Sequence, residues 1–195
     1  MRSPDAPAHA MTGHSNLRIF TLFSAVWGVT FGLIGPFYAV YIAEIGGGLE
    51  KLGYAYSIMI FVQAVTSFFV GHSSDKHGRK PYLFFTSYLN SAILLCYTVI
   101  TLPYQIYILQ ALLGVSNAIS MTMRDSLLGD ITRREKRGFE VGRFNAIVSI
   151  FSSMGLAAGG YATKFYGIKA LFYFGSVVVA LSTILLFFIR EPRKD

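Results

Sequence analysis

The stretch Gly71-His72-Ser73-Ser74-Asp75-Lys76-His77-Gly78-Arg79-Lys80 decides how the rest of this chain is read. It is a short run crowded with charge between two long apolar blocks, residues 52–71 and 81–102, neither of which contains Asp, Glu, Lys or Arg. Gly71 lets a neighbouring backbone approach closely, and Gly78 permits the tight turn that a short connection between two helices needs. Asp75 at a membrane surface can accept hydrogen bonds at the positive end of a helix, and the planar fork of Arg79 suits a carboxylate.

The alternation of apolar block and charged connection recurs along the chain. Uncharged apolar blocks fall at residues 19–43, 52–71, 81–102, 104–123, 144–163 and 170–189. Each is about 20 residues or more, the length a helix needs to cross roughly 30 Å of hydrocarbon. The blocks are continuously apolar and lack the alternation of a barrel wall, so helices are the structure that satisfies the backbone in lipid. Hydrophobic residues make up 53% of the chain and charged ones 14%, which excludes an ordinary soluble domain. The expected fold is therefore an all-α integral membrane bundle of six transmembrane helices. Gly46-Gly47-Gly48 ends the first span and Pro103 divides the third from the fourth. Residues 1–16 read as a disordered cytoplasmic tail, residues 17–190 as the bundle and residues 191–195 as the start of a linker.

Orientation follows from the cations, because cytoplasmic flanks retain positive charge during insertion. Placing the amino terminus in the cytoplasm puts fourteen of the seventeen Lys and Arg residues on that side, Arg124 and the cluster from Arg133 to Arg143 among them, and leaves Lys51, Lys164 and Lys169 outside. Both termini are then cytoplasmic, in a cell membrane, plasma or inner. This distribution accounts for the net charge of +7 without a nucleic-acid partner. The cations serve topology and attract anionic headgroups of membrane lipid. A single cysteine, Cys96, excludes a disulfide framework. No cofactor is expected, and His72, Asp75 and His77 lack the further ligand that a metal or catalytic site would require.

The run from Gly71 to Lys80 resembles the signature loop between the second and third helices of the major facilitator superfamily: Gly, three residues, Asp, two residues of which the first is usually basic, then Gly-Arg-Lys. All these positions are filled here. A second stretch, Leu128-Gly129-Asp130 through Arg137-Gly138, is similar to the family's loop between helices four and five. The resemblance implies a transporter of a small solute and not an enzyme, with alternating access between inward and outward states. This chain would supply the amino-terminal half of a twelve-helix bundle, itself two inverted three-helix repeats. It further implies that Gly71, Asp75, Lys76, Gly78, Arg79 and Lys80 control the switch between states. Arg79 would pair with an acid at the end of helix four, which is Asp130, with Asp125 as the alternative.

In the family, helices one and four line the solute path, two and five meet the other half, and three and six mostly face lipid. On helix four, Gln110, Gly114, Asn117 and Met121 form one polar and small stripe. Candidate path residues are Trp27, Tyr38, Gln110 and Asn117. The bland alternative for such a stripe is interhelical hydrogen bonding. Close helix packing is expected at Gly28, Gly32 and Gly35 of helix one, Gly114 of helix four, and Gly155, Gly159 and Gly160 of helix five. Two departures make proton antiport doubtful: Gln110 stands where the family's antiporters carry Arg, and Leu156 replaces a Pro. Six spans free of charged residues argue against a strongly ionic solute unless another half supplies the charge. That half would be the rest of a longer chain or a second copy. The competing reading is a truncated fragment or accessory subunit that keeps the fold without transporting.

Overall fold

A computed structural model describes residues 6–46 and 48–189, with side chains described for 15–45, 48–70 and 78–189. The chain is helical almost throughout: α1 (Ala6–Gly46), α2 (Leu49–His77), α3 (Lys80–Val99), α4 (Pro103–Ile131) and α5 (Arg137–Ser182), the last continued by a 3-10 segment, Thr183–Phe188. Five helices among the described residues are long and apolar enough to cross a membrane, where the apolar blocks number six. The difference lies in α5. It carries both of the last two blocks and is broken at Gly167, whose φ of 74° and ψ of 161° are not helical and favour a residue without Cβ.

Helix ends also differ from the sequence expectation. Residues 6–16, expected as tail, continue α1, as a stretch with Ala6, Ala8, Ala10 and Met11 can. The signature run is mostly helix: α2 continues to His77, and the turn is confined to Gly78, with φ of 78°, and Arg79. α4 does not stop at the first charge but runs eight residues past Met123, because Leu127, Leu128 and Ile131 keep an apolar face buried there. At the other end of α4 the side chain of Gln105 accepts hydrogen bonds from the backbone N–H groups of Thr101 and Leu102, both at 3.0 Å, closing the helix start.

Lipid tails are as apolar as Leu, so helix association here rests on close packing and internal hydrogen bonds. α1 packs chiefly on α5, α2 on α4, and α3 on both α4 and α5. The α1–α5 contact is reciprocal. A Cβ added at Gly32 would lie 2.1 Å from the Ser152 carbonyl oxygen, and one added at Gly155 or Gly159 would lie 2.2 or 2.3 Å from the oxygens of Val29 or Leu33. By the same measure a Cβ at Gly28 would lie 3.0 Å from Val148 O, and one at Gly114 would lie 2.5 Å from Met59 O of α2. Gly35 and Gly160 stand apart: a Cβ at Gly35 meets nothing within 4 Å, and one at Gly160 meets only the Phe37 ring at 3.6 Å. Both lie beyond the surfaces where the two helix backbones touch.

Two apolar clusters form the interior. One gathers Ile34, Tyr41, Tyr97, Ile106 and Phe172, the other Phe20, Phe23, Met123, Leu127 and Phe144. Along α3 and α4 the residues between them are polar. Asn90 Nδ2 donates to Thr86 O at 2.8 Å and to the Ser116 hydroxyl, and Ser91 Oγ donates to Ser176 O at 3.0 Å. α3 is thus held to both neighbours through its polar face while Phe85, Tyr88 and Val99 are exposed. α2 is the most open helix, with Ile60, Phe61, Phe68 and Phe69 each at least 60% exposed. The α5 face of Ala146, Ser149, Ser153, Ala157 and Gly160 is open too.

Candidate functional site

Where α1 crosses α3 and α4, a cavity of about 380 Å³ opens between them. Its α1 wall is aromatic: Phe20, Phe23, Trp27 and Phe31 recur at helical spacing, and Trp27 stacks on Phe31 with centroids 5.2 Å apart. The opposite wall is polar, with Thr86 and Ser87 of α3 and Asn117, Ser120 and Arg124 of α4. Arg124 sets its guanidinium carbon 5.5 Å from the centroid of the Phe144 ring, a cation–π contact that fixes the charge at the cavity edge. Trp27 Nε1 and Ser120 Oγ are buried and have no hydrogen-bond partner among the described residues. The cavity therefore presents a cation and several donors opposite an apolar wall.

Trp27 and Asn117 line this cavity, whereas Tyr38 and Gln110 do not. Tyr38 belongs to the aromatic cluster at the other end, where its hydroxyl bonds to that of Tyr97 and Tyr41 Oη donates to Tyr97 O at 2.5 Å. Gln110 is fully buried, with both amide atoms unpartnered among the described residues. Arg124 was missed because it read as one more topological charge. It stands three residues beyond Met121, on the same helical stripe as Asn117 and Met121, and that spacing was the available signal.

At the end of the bundle nearer Arg124, the α2–α3 connection meets α4. Arg79 Nη1 forms an ion pair with Asp130 Oδ2, while Asp125, the alternative and likewise exposed, forms no ion pair among the described residues. Lys80 donates to the carbonyl oxygens of Phe187 and Ile189, each at 3.0 Å, and so ties the start of α3 to the end of the last segment. The side chains of Gly71 to His77, Asp75 and Lys76 included, lie outside the described residues. The α4–α5 connection is closed by Arg133 N–H donating to Glu140 Oε2 at 2.8 Å and by Arg137 Nη2 donating to Gly129 O at 2.6 Å.

The Arg79–Asp130 pair is only partly shielded, with side chains 13% and 33% exposed, so its coupling is expected to be about 1 kcal/mol. Arg79→Gln and Asp130→Asn should each lower the melting temperature in detergent. The double variant should fall no further than the worse single one; additive losses would show that the two side chains act separately.

The described helices thus enclose an aromatic cavity with a cation at its edge, and an Arg79–Asp130 ion pair lies at one end. The profile of the Major Facilitator Superfamily matches residues 19–195, and the chain belongs to that family. It is a multi-pass membrane protein of a transporter family, not an enzyme. It is 26% identical over 154 residues to the uncharacterized MFS-type transporter YitZ of Bacillus subtilis (strain 168), covering 79% of this chain and 94% of YitZ. It is 28% identical over 182 residues to the multidrug resistance protein MdtG of Salmonella choleraesuis (strain SC-B67), covering 90% of this chain and 45% of that protein. The MdtG of Klebsiella pneumoniae (strain 342) is 26% identical over 98% of this chain and 47% of its own length. The chain thus spans nearly all of YitZ and about half of either MdtG.

Proposed function

We propose that this chain supplies the amino-terminal six-span half of a secondary or facilitative transporter that moves a small organic solute by alternating access. The six spans are α1 to α4 and the two parts of α5 on either side of Gly167, with both termini cytoplasmic as the cation distribution favours. The second half is the rest of a longer chain or a second copy, and the open apolar faces of α2 and α5 suit that contact. Arg79 and Asp130 serve as a latch that holds one state.

The observation that carries the solute class is the cavity, with Arg124, Asn117 and Ser120 opposite Phe20, Trp27 and Phe31. A guanidinium and neutral donors favour an anionic group, and the aromatic wall favours an apolar or aromatic body. The solute is therefore an amphiphilic organic anion. The likeness to MdtG makes drug export a narrower form of the same reading, but Gln110 and Leu156 disfavour the proton-antiport version of it. Uptake of a panel of aromatic carboxylates into inside-out and right-side-out vesicles containing the gene product, with the matching amines as controls, tests the reading. Saturable carboxylate uptake above empty vesicles is expected. Its absence for every member of the panel would favour an accessory subunit.

A further inference from the structure

We propose that the outer side of the α1–α5 contact is a binding site for one anionic phospholipid. This side of α1 faces away from the solute cavity: Leu22, Ala25 and Val29 lie here, whereas Phe23 and Trp27 line the cavity. Two concave features meet on it. The first, about 510 Å³, is lined by the cations Arg18, Arg133, Lys136 and Arg143 and by one acid, Glu140. Glu140 already accepts the backbone N–H of Arg133. All four cationic residues are exposed, and none of them forms an ion pair among the described residues.

The second is an almost purely apolar groove of about 210 Å³ running along α1 between the two parts of α5, past Val29, Leu33 and Phe174. Leu22, Ala25 and Phe151 line both features, so basic pocket and apolar groove are continuous. Arg18 immediately precedes the apolar block of α1, and Arg143 immediately precedes that of α5, which sets the cations at the level of lipid headgroups. A phosphodiester at the basic end, with an acyl chain along the groove, matches both charge and polarity. A free phosphate would use the first feature and leave the second without a role. Basic pockets between helices at a membrane surface bind acidic headgroups for this reason.

The site does not depend on the transport reading and is tested without a transport assay. Native mass spectrometry of the delipidated protein in detergent should show a one-to-one adduct with dioleoyl phosphatidylglycerol and much weaker retention of dioleoyl phosphatidylcholine. The Arg18→Gln/Arg143→Gln variant, altered only at exposed positions, should bind the anionic lipid about thirtyfold more weakly, as the loss of two cations at a membrane surface implies. Glycerol 3-phosphate at millimolar concentration should not displace the lipid. Equal binding of the two lipids, which needs no variant to observe, would overturn the proposal, as would an unchanged affinity in the double variant. Displacement by glycerol 3-phosphate would assign the pocket to a soluble phosphate instead.

Discussion

Gly32→Ala should leave little or no monodisperse protein in detergent, while Gly35→Ala, one turn along the same helix, should behave as the parent does. At Gly32 the added Cβ would sit 2.1 Å from the Ser152 carbonyl oxygen, where ordinary contact needs 3.4 Å, and the obstacle is backbone that no rotamer change can move. α1 and α5 would have to separate. Their separation would open the reciprocal contacts at Gly155 and Gly159, which are made on the same surface. Overpacking of a core costs about 1–3 kcal/mol where side chains can give way, and the upper end or more is expected here. In lipid no hydrophobic force restores the lost packing. Fluorescence-detected size exclusion and melting curves of the two variants provide the check, and equal behaviour would mean that the helices do not touch where described.

The second large effect is expected at Arg124. Arg124→Gln should reduce transport of an aromatic carboxylate by about 10- to 100-fold, the range set by losing a hydrogen bond to a charged group. Uncharged analogues should be affected far less. Arg124→Lys keeps the charge but loses the guanidinium contact with the Phe144 ring, and should recover only part of the rate. A parallel loss for charged and uncharged solutes would mark Arg124 as a structural residue. An unchanged rate for the carboxylate would remove it from the path.

The apolar blocks and the charged run at residues 71–80 made the helical membrane fold legible, and with it the family. Arg79 could be named from the same run, and its candidate acids, Asp130 and Asp125, from the resemblance that places an acid at the end of helix four. Helix partners were not legible. The helices are apolar nearly all round, and the small and polar stripes on helices one and four do not say which neighbour each meets. Gly28, Gly32 and Gly35 share one helix face, yet only the first two meet α5, because contact depends on where two cylinders cross. Arg124 was hidden for a related reason. Charge near a span end usually serves topology, and only the length of α4, carried past Met123 by Leu127, Leu128 and Ile131, places that cation beside the cavity.

In the proposed function the Trp27–Asn117–Arg124 cavity is the solute path, which requires it to be open to water from one side. Thiol labelling tests it most directly. In a Cys96→Ala background, Met121→Cys places a thiol at the cavity and Phe85→Cys places one on the exposed outer face of α3. A membrane-impermeant maleimide should label Met121→Cys from the cytoplasmic side, leave Phe85→Cys unmodified, and be slowed by a transported carboxylate. If Met121→Cys resists the reagent from both sides of the membrane, the cavity is not a path.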